Sequence, residues 1–224
     1  MSSDSFFISN TYNSTTLLNK TVINFKMTIE TLNNTLSAID EINRQDPNLI
    51  LSNGSSQAKE LVYGQQMTDC LTQYWPASNE ILQIAVRAQH IKRWQLKRTE
   101  FNEGKAGYYQ WRIAQGKFHA ELTASIMLEQ GYLVKDTRQC AAIIRKENLK
   151  TCRDSQTLED VACLVFLMHY FDEFAAKYTD QDNEAKIVRI VQLTWKKMSD
   201  QGHDIALSLT LPEHLAVIVT KALS

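Results

Sequence analysis

The run Val161 to Phe171, VACLVFLMHYF, constrains this chain more than any other segment, because His169 is its one interruption by a strongly polar residue. Wound as a helix, such a run is apolar on nearly every side. It therefore fits the interior of a bundle, with other helices packed around it. Three prolines and seven glycines in 224 residues are too few for a β-protein of many tight turns, and 44 % apolar content suffices for one sizeable core. These features predict an all-α, single-domain helical bundle of about eight helices.

Periodicity supplies the helices around the central one. Ile29, Leu32, Leu36, Ile39 and Ile42 line one face of a first helix, stopped at Asp46-Pro47. Residues 1–26, rich in Ser, Thr and Asn, are expected to be a disordered N-terminal extension ahead of a globular domain over 27–224, with Met1 and Met27 both open as translation starts. Asn53-Gly54 is a turn, and Leu61, Val62, Met67, Leu71, Tyr74 and Trp75 fit a second helix ended by Pro76. Ser78 is a candidate cap for a third helix through Ile81, Ile84, Ala85, Ala88 and Ile91, on which Gln83, Arg87, His90 and Trp94 form a polar stripe. One or two helices are expected between Ala106 and Gln130, ended by Gly131, and another from Asp136 to Glu147. Thr157 and Asp160 make a T-x-x-D capping box at the head of the central helix. Asp182 or Asn183 can cap a helix carrying Ile187, Val191, Thr194, Trp195 and Met198, and Pro212 suits the first turn of the last.

Charge is concentrated in one place. From Arg87 to Lys117 eight cationic residues face only Glu100 and Glu103, in a chain whose formal net charge is −1. Guanidinium groups pair with phosphate through two bonds, and aromatic rings offer stacking faces. Arg87, Arg93, Trp94, Tyr108, Trp111 and Arg112, with Lys146 beyond them, are therefore candidate ligand-binding residues for a phosphate-bearing small molecule, a nucleotide or nucleic acid. A solvated surface segment would show the same composition. His90, His119 and Asp160 fall on three separate expected helices, the arrangement a bundle uses to converge two imidazoles and a carboxylate on a divalent metal or in acid–base roles. The structural alternatives are an exposed His90, a hydrogen-bonded core His119 and an Asp160 that only caps a helix.

Cys70, Cys140, Cys152 and Cys163 form no C-x-x-C pair, which speaks against a zinc knuckle or a redox dithiol and for thiols in a reducing, cytoplasmic setting. The first residues show neither a secretory signal nor a membrane span, so no membrane partner is expected. No P-loop, G-x-G-x-x-G or G-x-S-x-G occurs.

Several segments together resemble the family called domain of unknown function 4202. They are L-V-Y-G-Q-Q-M at 61–67, R-A-Q-H-I-K-R-W at 87–94, G-Y-Y-Q-W-R at 107–112, F-H-A-E at 118–121, R-K-E-N-L-K at 145–150, T-L-E-D-V-A-C-L-V-F-L at 157–167 and W-K-K-M-S-D-Q-G-H at 195–203. The resemblance runs from about Ile29 to Ser224 and carries no settled activity. More distantly the layout is similar to the HD superfamily of metal-dependent phosphohydrolases. Arg87-Ala88-Gln89-His90 occupies the neighbourhood of that superfamily's His-Asp pair, Asp160 that of its late aspartate, and His119 that of a further histidine found in some branches. Gln89-His90 stands in place of His-Asp, and Tyr63-Gly64 where the first histidine belongs. This second resemblance therefore implies an HD-like fold whose metal site is rebuilt or lost. Two functions follow as expectations. One is a metal-dependent phosphohydrolase acting on a phosphorylated or nucleotide-like small molecule, with one divalent ion at His90, His119 and Asp160. The other is a non-catalytic nucleotide- or RNA-binding module using residues 87–117.

Overall fold

The structure, a computed structural model, describes residues 29–176 and 181–223. The expected N-terminal extension lies outside the described residues, as do the side chains of Asp182 and Asn183. The described residues are mostly helical and carry one small sheet.

Helix α1 spans 29–43 and presents Thr35, Ile39 and Asn43 inward. The chain then forms a two-stranded antiparallel hairpin, β1 Leu49–Ser52 and β2 Ser55–Ala58, with Leu49 opposite Ala58 and Ser52 opposite Ser55. Asn53 and Gly54 join the strands with φ of 49° and 75°, the pair of positive angles that a two-residue turn needs to match strand twist. The sequence marked the turn but not the strands, which are only four residues each and largely exposed.

Helix α2, Lys59–Tyr74, ends before Pro76 as expected. Asn79, not Ser78, caps α3, Glu80–Arg87, by accepting the Leu82 N–H at 2.9 Å. This helix stops well before Trp94, so the expected stripe through Gln83, Arg87, His90 and Trp94 does not form. Past Ala88 the chain tightens into turns, and Lys92 adopts a left-handed φ of 52° while its N–H donates to the buried Asn43 side chain at 2.9 Å. Arg93–Gln95 and Arg98–Glu100 are single 3₁₀ turns.

A single long helix, α4 Gly104–Glu129, covers the segment where one or two were expected, and Gly131 follows at a φ of 90°. Helix α5, Val134–Ile144, ends in a loop where Lys146 and Asn148 both take positive φ. The central helix α6, Arg153–Val165, packs on α2, α3 and α5, with Leu158, Val161 and Leu164 fully buried. It begins well before Thr157, so Thr157 and Asp160 lie inside it and form no capping box. At Phe166–Tyr170 the helix widens into a π turn before continuing as α7, Phe171–Ala176. That turn brings the Tyr170 hydroxyl to the Gln66 carboxamide oxygen at 2.7 Å. It also splits the expected apolar helix into two, one reason that the described residues form ten helices where about eight were expected.

Helices α8 Gln181–Trp195, α9 Asp200–Ser208 and α10 Glu213–Leu223 complete the bundle. Pro212 sits just before α10, its carbonyl accepting from the N–H groups of Leu215 and Ala216. Because Leu164 has no exposed surface, Leu164→Ala should lower stability by about 2–5 kcal/mol in denaturant unfolding. A loss under about 1 kcal/mol would place α6 at the periphery.

Candidate functional site

Two buried side chains at the end of α1 and just after it set the site's position. The carboxylate of Asp46 accepts the Asn48 N–H at 2.9 Å and the Glu60 N–H at 3.1 Å, which fixes the first turn of α2 against the base of the hairpin. Asn43 holds the loop after α3 through Lys92 N. Glu60 and His90 are thereby brought together, with His90 Nδ1 at 3.3 Å from Glu60 Oε2. One helical turn beyond Glu60, the Tyr63 ring stacks on the His90 imidazole at 4.0 Å between centroids and 12° between planes. His119 on α4 lies behind, its ring centroid 6.2 Å from that of His90.

Cations gather around this core. Gln115 donates to the carbonyls of Arg93 and Leu96 at 2.9 and 3.0 Å, and Trp111 Nε1 donates to Leu96 O at 3.0 Å, so α4 clamps the 93–96 loop. The Arg93 guanidinium lies over the Trp111 ring at 4.8 Å from its centroid. Arg112 donates to the hydroxyl of Tyr108, one turn earlier on α4. From the α5–α6 loop Lys146 pairs with Glu159, and Lys197 Nζ approaches the other oxygen of that carboxylate at 3.7 Å.

The electrostatics follow from burial and from these neighbours. Burial, then Arg93, Lys146, Arg112 and Lys59, hold the His90 imidazole well below the ordinary histidine value. Burial pushes the Glu60 carboxyl up to about 7, against the pull of Arg93 and Lys59. His119 is pressed down to about 3 by burial, His90 and Arg93, and neither of its ring nitrogens completes a well-formed hydrogen bond. Burial would raise the Glu159 carboxyl, but Lys146, Lys197 and Arg112 together hold it below its usual value. Four cations thus lie within electrostatic reach of one neutral imidazole.

The residues singled out from sequence divide accordingly. His90, His119, Arg93, Arg112 and Lys146 come together, with the Trp111 ring under the Arg93 guanidinium and the Tyr108 hydroxyl bonded to Arg112. Trp94 is half-buried in the same short turn as Arg93. Arg87 is engaged elsewhere: its guanidinium makes a two-pronged pair with Asp40 at 2.6 and 2.5 Å and donates to Thr68 at 3.1 Å, joining α1, α2 and α3. Asp160 is likewise occupied, accepting from Ser199 N at 2.8 Å, Ser199 Oγ at 2.5 Å and Gln156 Nε2 at 3.0 Å, which holds the start of α9. Its neighbour Glu159 is the carboxylate of α6 that meets the cations. An open groove of about 410 Å³ lies on the Asp160 side, lined among others by Lys150, Arg153, Gln156 and Ser199. Among the described residues no group of three or more His, Cys, Asp or Glu side chains is placed to hold a metal ion. Asp160 is engaged by Ser199, and four cations lie within electrostatic reach of His90, which disfavours a divalent cation on His90, His119 and Asp160 as placed.

Sequence reasoning missed Glu60, Tyr63 and Glu159. The first two stand three apart at the head of α2, a spacing that puts them on one face and was the available signal. Glu159 was overshadowed by Asp160 beside it.

Compared with known proteins, residues 33–219 match a family model described as Domain of unknown function (DUF4202). No curated protein and no solved structure matches the chain.

Glu60 gives the site a pH signature in stability. Its folded-state value of about 7 lies above the ordinary 4.5, so its contribution to stability is complete below 4.5 and is lost as pH rises through about 7. Glu60→Gln cannot ionise, so its melting temperature relative to the unaltered protein should be higher at about pH 8.5 than at about pH 4.5. An offset identical at both pH values would mean that Glu60 ionises as freely in the fold as in the unfolded chain.

Proposed function

The chain belongs to the family described as Domain of unknown function (DUF4202), a description that names no activity, and we propose that it is an HD-like helical protein binding a phosphorylated or nucleotide-like small molecule around His90. The observation that carries this reading is the convergence of Arg93, Arg112, Lys146 and Lys59 on the neutral His90 imidazole, with Glu159 as the compensating carboxylate. Like charges held this close repel, and a bound phosphate dianion relieves that repulsion while accepting hydrogen bonds from the guanidinium groups. The reaction class that suits such a ligand is phosphate-ester hydrolysis.

The HD-like relationship is supported by the order of His90, His119 and an α6 carboxylate along the chain. In the metal-dependent form of that reading, His90, His119 and Asp160 hold one divalent ion. The commitment of Asp160 to Ser199 and the surrounding cations favour an anion at this place instead. A non-catalytic nucleotide- or RNA-binding module is the second reading. The half-exposed rings of Tyr108 and Tyr109, with Lys105 5.9 Å from the latter, favour it.

Calorimetric titration of the full chain with inorganic phosphate and with adenosine monophosphate at low salt tests the proposal. Arg93→Ala with Arg112→Ala should weaken phosphate binding at least about tenfold, one unit of 1.4 kcal/mol, and added salt should weaken it further. Arg87→Ala should chiefly lower the melting temperature, since its guanidinium ties three helices together. Failure of the unaltered protein to bind either probe at low salt would sink the reading. RNA binding that depends on Tyr108 and Tyr109 but not on Arg93 would favour the module.

A further inference from the structure

We infer that Glu60 and His90 form a proton-transfer pair that delivers a proton to the departing oxygen of a phosphomonoester held by Arg93, Arg112 and Lys146. This rests on the phosphate-binding reading and adds to it a reaction and a division of labour.

The geometry is that of a pair built for one purpose. Glu60 is almost wholly buried, its backbone is fixed by Asp46, and its Oε2 lies 3.3 Å from His90 Nδ1 while forming no hydrogen bond of good geometry. A buried carboxyl oxygen left in this state calls for an explanation, and catalytic hydrogen bonds often align only once a ligand is bound. Tyr63 stacks on the imidazole and so fixes its plane. One ring nitrogen thus faces Glu60, whereas Nε2 has no protein partner among the described residues, and the His90 side chain keeps 23 % of its surface exposed. That is the arrangement in which a ligand held by the neighbouring cations meets Nε2.

The surroundings supply the proton in the right place. The groups facing the pair are Lys59, Tyr63 and Tyr170, Arg93, Arg112, Lys146 and Glu159, and His119 behind. Burial keeps a proton on Glu60 up to about pH 7, while burial and the cations keep the imidazole neutral, so with Nδ1 facing the protonated carboxyl the ring's one proton sits on Nε2. In the step, a water oxygen bonds to phosphorus as the ester P–O bond breaks. The departing alkoxide takes the proton from His90 Nε2, and Nδ1 takes the proton of Glu60. The proton shed by the water ends on the released phosphate; Nε2 then takes a proton from solvent and Nδ1 returns its own to Glu60, which restores the starting pair.

A leaving group that needs no proton separates this role from a structural one. Phosphate release by the full chain is measured with glycerol phosphate, whose alkoxide must be protonated, and with p-nitrophenyl phosphate, whose phenolate leaves unaided. Glu60→Gln should slow release from glycerol phosphate by about 10²–10⁴-fold, the usual span for general acid catalysis, and from p-nitrophenyl phosphate far less. Affinity for inorganic phosphate should stay within about threefold, and the fall in the unaltered protein's rate above about pH 7 should be missing from the variant. Equal losses on the two esters, or none on either, would overturn the pair as a proton donor. So would an unaltered protein that binds inorganic phosphate yet releases none from either ester, an outcome that leaves the binding reading intact. If the unaltered protein does not bind inorganic phosphate at all, the binding reading itself fails, and this inference falls with it.

Discussion

Two adjacent carboxylates buried in the central helix hold this molecule together and to its site. Burying a carboxylate costs several kcal/mol unless hydrogen bonds and opposite charge replace the solvent, and Glu159 and Asp160 each have such partners. Being consecutive on a helix, they point about 100° apart and satisfy this demand in different directions. Asp160 takes the backbone and hydroxyl of Ser199 and so pins the start of α9. Gly202 lies so close to that carboxylate that a Cβ would come within 2.8 Å of Oδ1, which leaves no room for a side chain there. Glu159 draws Lys146 and Lys197 toward itself, where Arg112 is also within reach.

The other half of the site depends on α1 in the same way. Asn43 and Asp46, both almost fully buried, act on the loop after α3 and on the head of α2 respectively. Glu60 and His90 meet because two side chains from one stretch of chain hold both of them. Rigidity is then added from α4, whose Gln115 and Trp111 clamp the loop bearing Arg93. Positive φ at Lys92 and Lys146, residues with no special tolerance for it, marks the two loops that carry Arg93 and Lys146. Strained backbone is retained where the surroundings over-determine it, which is commonly at functional positions.

The bundle was legible in the sequence because its determinants are local. The proline stop and the helical spacings announce α1 and α2, and the glycine stop and the apolar run announce the existence of α4 and α6, though not that α4 is one helix or where α6 begins and ends. What lies across the bundle was not legible. Arg93 and Arg112 of the basic, aromatic segment lie within electrostatic reach of His90, joined by Lys146 from outside it, yet Arg87 in the same segment pairs with Asp40, forty-seven positions earlier. Nothing in the spacing distinguishes an arginine that joins helices from one that faces a ligand. The end of α3 was misjudged for a related reason: its apolar period continues to Ile91, while Asn43 and the left-handed Lys92 turn the chain away. Glu159 and Asp160 show the limit most plainly, since adjacent acids of like chemistry part by a rotation that the sequence does not rank.

The central claim, that the cations near His90 form an anion site, is tested most directly by anomalous scattering from crystals of the full chain soaked in tungstate, a heavy analogue of phosphate. The account predicts a tungsten peak whose oxygens lie within hydrogen-bonding distance of Arg93 and Arg112, on the exposed side of His90. A peak confined to the groove beside Lys150 and Arg153, or no ordered peak near His90 at saturating tungstate, would contradict it.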